Sequence, residues 1–320
     1  MRFLEKIYLD GFVVAILAVA VFASVLPARG DVADVLRWVT TVVIAVLFFL
    51  YGTRLSPAEA LAGLVHWRLH TVVLTATFLL FPALGLALRV LVPDVISADL
   101  YTGLLYLCLV PSTVQSSIAF VSIARGNVAG AVVSASVSNL LGVFATPLLV
   151  IALLNTTGHA AVDASAIADI AAQLLLPFLL GQLLRRWLRR LPQPKIVDRG
   201  SILLVVYTAF SAGVVEGIWQ RTSVWQVLGV GAVCAGLLAV VLTVTWFGAA
   251  RFAYADRVVV LFCGSKKSLA TGLPMASVLF AGQPVGLIVL PLMIFHQIQL
   301  IVCAVLAQRL ARAHPDAAAR

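Results

Sequence analysis

The sequence predicts an all-α polytopic membrane protein: ten transmembrane helices in two five-helix repeats of opposite orientation. Three observations predict it. The 320-residue chain is 62% hydrophobic and 11% charged, against about 25% charged residues in a soluble domain, so its apolar surface needs lipid as solvent. The apolar residues gather into ten runs, most near the ~20-residue length at which a helix spans a bilayer. Lysine and arginine alternate between the connections, dense on one side and sparse on the other.

The runs cover 11–28, 34–53, 70–92, 100–123, 128–155, 165–184, 200–219, 225–249, 256–281 and 284–308, five in each of the halves 1–155 and 156–320. No soluble domain fits between them. The first run is flanked by Pro27-Ala28-Arg29-Gly30, which lacks a small-x-small cleavage site, so it reads as an uncleaved first span. With the N-terminus in the cytoplasm, sixteen of the 22 basic residues fall in inside segments and four (Arg29, Arg37, Arg89, Arg221) outside. The remaining two lie within the ninth run. That bias predicts a multi-pass protein of the plasma (inner) membrane with both termini cytoplasmic. The densest inside segment, Arg185 to Arg199, reads as a topology anchor touching anionic headgroups, or as a regulatory lipid site. The net charge of +9 is therefore a mark of topology and not of nucleic-acid binding. Trp38, Trp67, Trp187, Trp219, Trp225 and Trp246 lie near run ends, as an interfacial belt requires. Cys108, Cys234, Cys263 and Cys303 lack metal-ligand spacing and read as reduced packing residues.

Five runs per half is an odd number, so the second half enters the membrane upside down, as in the inverted repeats of secondary transporters. A weak echo agrees. Gln115-Ser116-Ser117-Ile118-Ala119 in the fourth run matches Lys266-Lys267-Ser268-Leu269-Ala270 in the ninth at an offset of 151. Both segments are poor helix centres. Pro111 precedes the first; Gly264 and Ser265 precede the second, and Gly272 and Pro274 follow it. Proline removes a backbone donor and glycine weakens a helix. Paired, interrupted spans at matching positions point to a transporter's binding site. Unwound carbonyls there suit a cation, and half-helix N-termini suit an anion. A lysine at mid-bilayer costs roughly 2.5–3.5 kcal/mol, yet here two are adjacent.

Leu109-Val110-Pro111-Ser112, Gln115-Ser116-Ser117, Ala124-Arg125-Gly126-Asn127-Val128, Ser138-Asn139 and Thr146-Pro147 together resemble the bile acid:sodium symporter family. The Ala-Arg-Gly-Asn connection is a specific marker of it. Ser265-Lys266-Lys267-Ser268-Leu269-Ala270-Thr271-Gly272-Leu273-Pro274 is similar to a divergent branch of that family, and the resemblance covers essentially the whole chain. It implies a panel domain of helices 1, 2, 6 and 7 and a core domain of helices 3–5 and 8–10, with helices four and nine broken and crossing. It also implies alternating access, with bile acids, sulfated steroids or other organic anions moved with sodium. The chain departs from the family in the ninth run. Members hold sodium there with a glutamate and a glutamine, but 258–280 contains no acid, and Phe262 and Lys266 stand at about those positions. The family's hydroxyl ligands in the fifth run are matched in part by Ser134, Ser136, Ser138 and Asn139. An ammonium 4 Å from sodium repels it by about 4 kcal/mol at an effective dielectric of 20. The sodium site therefore reads as degenerate.

The lysines admit two readings. In one, an ammonium replaces the missing cation at the crossing, bonded to backbone carbonyls and to Gln115, Ser116 or Ser117. It then gains and releases a proton in the cycle, and the other lysine, about 100° away on a helix, meets an anionic substrate. In the other reading both are staples between the crossing helices. The candidate substrate- or ion-binding set is Pro111, Gln115, Ser116, Ser117, Ser136, Asn139, Lys266, Lys267, Ser268, His296 and Gln297, with Gln299 a further polar residue of the tenth run. His296 reads either as a packing residue or as a proton relay. Arg125 and Asn127 read as a turn, and Glu216 and Asp169 as interfacial charges. No cofactor is expected beyond sodium or a proton as coupling ion. The sequence has no Gly-x-Ser-x-Gly elbow, His-Glu-x-x-His motif or phosphate loop. A Ser/Lys hydrolase built on 265–268 is opposed by adjacency, since neighbours on a helix do not face each other. The expected function is secondary active transport of a small organic anion, bile-acid- or sterol-conjugate-like. A passive anion channel and a ligand-binding membrane scaffold are the alternatives.

Overall fold

The computed structural model describes residues 11–54, 66–93, 96–157, 171–188, 195–215, 217 and 223–314. Among them all regular structure is helical. Lipid offers no partner to a free backbone group, so apolar runs of this length close their hydrogen bonds internally. The helices are α1 (Gly11–Val25), α2 (Asp31–Arg54), α3 (Trp67–Thr75), α4 (Phe81–Ala87), α5 (Ala98–Leu109), α6 (Gln115–Ile123), α7 (Val128–Thr157), α8 (Leu176–Leu188), α9 (Lys195–Val215), α10 (Val224–Gly248), α11 (Tyr254–Gly264), α12 (Leu269–Leu279) and α13 (Val285–Ala313). A wide π turn, Ala76–Leu80, joins α3 to α4 in one rod. Among the described residues five helical stretches, 31–53, 67–91, 128–154, 224–248 and 285–313, are long and apolar enough to cross a membrane.

The fourth and ninth runs are each two short helices with a break between them. The first break starts at Val110, which is extended (ψ 154°) because the following Pro111 disfavours the helical region for its predecessor. The second ends at Ser268, whose side chain caps α12 by accepting the Thr271 N–H. The expected breakers Gly272 and Pro274 do not interrupt this run. Both lie inside α12. Gly272 serves close packing instead: a Cβ there would lie 2.6 Å from Leu292 Cδ2 and 3.2 Å from Val110 Cγ1.

α1, α2, α8 and α9 pack on one another, while α5 packs on α13, and α11 on α3, α6, α7 and α10. α9 also meets α12 and α13. At the α2–α8 contact a Cβ on Gly52 would strike the Phe178 carbonyl oxygen, and one on Gly181 the Phe49 carbonyl oxygen. Small residues let two backbones touch in this way. Gly181→Val pushes against a carbonyl that no rotamer change can move. It is expected to cost about 1–3 kcal/mol, read as a lowered thermal midpoint in detergent.

The outer surface is apolar, with Phe22, Val90, Leu183 and Phe247 all exposed. Trp38, Trp67, Trp187 and Trp225 are exposed too, whereas Trp246 lies under the Arg257 guanidinium, 3.8 Å from its ring centroid. The four cysteines are free and buried. Arg125 sits in the left-handed region (φ 59°) between α6 and α7. Asn127 follows it, accepting the Gly130 N–H and donating Nδ2 to Asp256 Oδ1, both at 2.8 Å. The Ala-Arg-Gly-Asn element is thus a turn that ties α7 to the start of α11. Asp169, Glu216, Trp219, Arg221 and the middle of the basic 185–199 segment lie outside the described residues.

Candidate functional site

The two breaks face each other, and their backbone groups can be followed one by one. In the first, Pro111 has no N–H. The Ser112 N–H turns to Ser138 Oγ at 3.2 Å, away from the Cys108 carbonyl four residues back. The Leu109 carbonyl accepts Thr146 Oγ1 at 2.9 Å, and the Pro111 carbonyl accepts the Ser268 N–H at 2.8 Å. In the second, the Cys263 carbonyl accepts Ser112 Oγ at 2.6 Å and the Phe262 carbonyl accepts Ser117 Oγ at 3.2 Å. Each break therefore satisfies the other. Ser112 and Cys263 are 151 residues apart, so positions aligned by the sequence echo touch. Hydroxyls gather at the starts of α6 and α12. Thr113 Oγ1 lies 2.7 Å from Ser116 Oγ and 3.0 Å from Ser117 Oγ, and Thr271 Oγ1 donates to Asn139 Oδ1 at 2.9 Å.

Both lysines are fully buried, but their surroundings differ. Lys267 Nζ donates to the carbonyls of Thr77 at 2.9 Å, Cys108 at 2.8 Å and Val110 at 2.8 Å. That uses all three ammonium donors. The Phe81 ring centroid lies 4.1 Å away. The Cys108 carbonyl is free because Ser112 turned away from it, and the Val110 carbonyl because the helix stops there. The Thr77 carbonyl is free because the π turn sends the Phe81 N–H to Ala76. The next residue in that register, Pro82, has no N–H to send.

Lys266 Nζ reaches one carbonyl, that of Ser116 at 3.0 Å. Two ring faces also approach it, Phe120 at 3.5 Å and Phe262 at 5.6 Å, which stabilise a cation through the ring quadrupole. Among the described residues neither lysine forms an ion pair with a carboxylate. The starts of α6 and α12 add positive dipole ends. The centre is therefore positive, and its least compensated charge is on Lys266.

Gln299 of α13 clamps the Lys267 peptide unit. Its Oε1 accepts the Lys267 N–H and its Nε2 donates to the Lys267 carbonyl, both at 2.9 Å. A side-chain amide thus takes the place of the missing helical neighbours. Its second Nε2 hydrogen meets His296 Nδ1 at 2.8 Å, so Nδ1 is the acceptor and the neutral ring carries its proton on Nε2.

Of the other expected residues, Ser117, Ser268 and the Pro111 carbonyl lie within the crossing, and Ser116 reaches Lys266 through its carbonyl. Gln115 is exposed at the start of α6, and the expected bond from its side chain to an ammonium is not made. Residues 115 to 117 turn by about 100° each, and Ser117 is the one whose side chain reaches α11. Ser136 is half-buried on α7. Gln297 Nε2 is buried without a hydrogen-bond partner.

Two participants, Thr77 and His70, escaped the sequence reading, as did the pairing made by Gln299. Thr77 contributes only a carbonyl, and Pro82 was its sole signal. The pairing of Gln299 with a peptide unit has no sequence signature. Buried His70, at the edge of the third run, places Nδ1 2.7 Å from Ser134 Oγ, so that hydroxyl is already engaged.

The model of the SBF-like CPA transporter family matches residues 10–312. An uncharacterised Pseudomonas aeruginosa protein is 53% identical over 317 residues, covering 97% of this chain and 95% of the relative. The Escherichia coli protein named "Putative symporter YfeH" is 49% identical over 311 residues, covering 95% and 93%. "Sodium/bile acid cotransporter 7" of Danio rerio is 28% identical over 322 residues, covering 96% and 95%.

Proposed function

The chain belongs to the SBF-like CPA transporter family, and from that premise we propose that it is a secondary active transporter moving a small organic anion by alternating access. In this reading the ten apolar runs are ten spans in two inverted five-helix repeats. Both termini are cytoplasmic, and the membrane is the plasma (inner) membrane. α1, α2, α8 and α9 form the panel domain, a grouping supported by their mutual packing. The other helices form a core around the two crossed breaks.

The observation that carries the reading is the crossing itself. Two interrupted helices satisfy each other's backbone around two buried ammoniums. Irregular backbone is tolerated at membrane depth only where protein buries it or a cavity needs it, and intramembrane charge marks a substrate or ion path. The positive centre favours an anion. The name of the Danio rerio relative, a sodium/bile acid cotransporter, narrows that anion to a bile-acid- or sterol-conjugate-like molecule. An ammonium stands in for part of the sodium site, and the coupling ion is a proton. Gln297, with its buried, unpartnered amide, and His296 serve the substrate side, on the helix that meets α9.

The test is a thermal-stabilisation screen of the purified protein against organic anions, at several pH values, with and without sodium. A bound anion at a hundred times its Kd raises stability by about 2.7 kcal/mol. The reading expects a conjugated sterol anion to do so in sodium-free buffer. Stabilisation by neutral or cationic compounds alone would count against it.

A further inference from the structure

Three carbonyls from two helical segments converge on one point, each freed by a different local cause. Pro82 and the π turn free Thr77, the capture of the Ser112 N–H by Ser138 frees Cys108, and the extended backbone before Pro111 frees Val110. All three oxygens lie 2.8–2.9 Å from Lys267 Nζ, the range of charge-assisted bonds. Phe81 closes a fourth side at 4.1 Å. Three inward carbonyl dipoles around one point make a cation site, and a primary ammonium supplies one N–H for each oxygen. The titratable neighbours are thiols, Cys108 beside Lys267 and Cys263 and Cys303 beside Lys266.

We propose that Thr77, Cys108 and Val110 form a built monovalent-cation cage whose resident, non-exchanging ion is the Lys267 ammonium. The cage ties the α3–α4 rod, the end of α5 and the ninth-run break together, and it stays filled throughout the protein's working cycle. Lys266 has one carbonyl and two ring faces and is no part of the cage. The inference deepens the transporter reading by fixing which lysine stands for an ion, but its test uses no transport.

Lys267→Ala empties the cage and leaves space for a small amine. Purified in sodium-free choline buffer, the variant is expected to unfold about 5–15 °C below the unsubstituted protein. Methylammonium or ammonium should recover at least half of that shift and choline none. Neither amine should shift the unsubstituted protein or Lys266→Ala. An unchanged midpoint in Lys267→Ala overturns the proposal, as does a lowered midpoint that no amine recovers. Recovery by sodium but not by amines does so as well, because it assigns the cage to a metal ion. Should Lys267→Ala fail to fold, reductive methylation of the unsubstituted protein decides, read residue by residue by mass spectrometry. The cage predicts protection of Lys267 more than tenfold above Lys266, and equal rates contradict it. Either failure leaves the transporter reading intact, since no flux is measured.

Discussion

Gln299→Leu is expected to destabilise the protein by about 2–5 kcal/mol. Leucine nearly matches the volume of glutamine but returns neither bond to the Lys267 peptide, and each buried backbone group left unpaired costs about 1–3 kcal/mol. The Lys267 N–H and carbonyl both lose their partner, and His296 Nδ1 loses its donor. Gln299→Glu separates the contributions. It keeps an acceptor for the N–H but sets an oxygen against the Lys267 carbonyl, so it should fall below leucine whenever the acid is ionised. Thermal or denaturant unfolding in detergent reads both variants. A Gln299→Leu midpoint within a degree or so of the parent would mean that the peptide finds another partner and the clamp is dispensable.

Lys266→Met should have the opposite profile, with modest loss of stability and large loss of uptake. It gives up one carbonyl bond and two ring contacts, while methionine keeps most of the stem's packing. The missing positive charge matters more to an anionic substrate. At an effective dielectric of 20 and a separation of 4 Å, that pair is worth about 4 kcal/mol. Even partial screening leaves a loss of at least about tenfold in uptake per folded molecule. The pH dependence of the remaining uptake should flatten. Retention of full uptake with the parental pH profile would assign Lys266 to the structure alone.

Much of the crossing was legible in the sequence, for particular reasons. Pro111 has no N–H and restricts Val110, so a break in the fourth run was expected near it; the structure puts it just before Gln115-Ser116-Ser117, which begin α6. Two lysines in an apolar run announce a site because of their cost in lipid. The serine-rich stretch after Pro111 offered hydroxyls for freed carbonyls, and Ser112 and Ser117 do bond across to α11. Other parts were hidden in geometry. Gly272 looked like a breaker because glycine weakens helices, but its small size serves the packing against Leu292 and Val110. Gln115 looked like a ligand because it is polar and intramembrane; it is exposed at the start of α6 and makes no bond to either ammonium, so its direction was not legible. The Thr77 carbonyl had only Pro82 to signal it, because a π turn is a matter of backbone register and a proline five residues on frees a carbonyl only in that register. The difference between Lys266 and Lys267 was equally out of reach, since it depends on the carbonyls of Thr77, Cys108 and Val110 converging on one ammonium and that of Ser116 alone on the other.

The decisive measurement is accumulation of a labelled bile-acid conjugate in proteoliposomes under an imposed proton gradient, with sodium present or fully replaced by choline. A proton-coupled transporter whose ion position is held by a lysine should concentrate the anion above equilibrium in choline as well as in sodium. It should lose that accumulation when the proton gradient is collapsed. Accumulation that requires a sodium gradient and ignores the proton gradient would contradict the reading, as would equilibration without accumulation under every gradient.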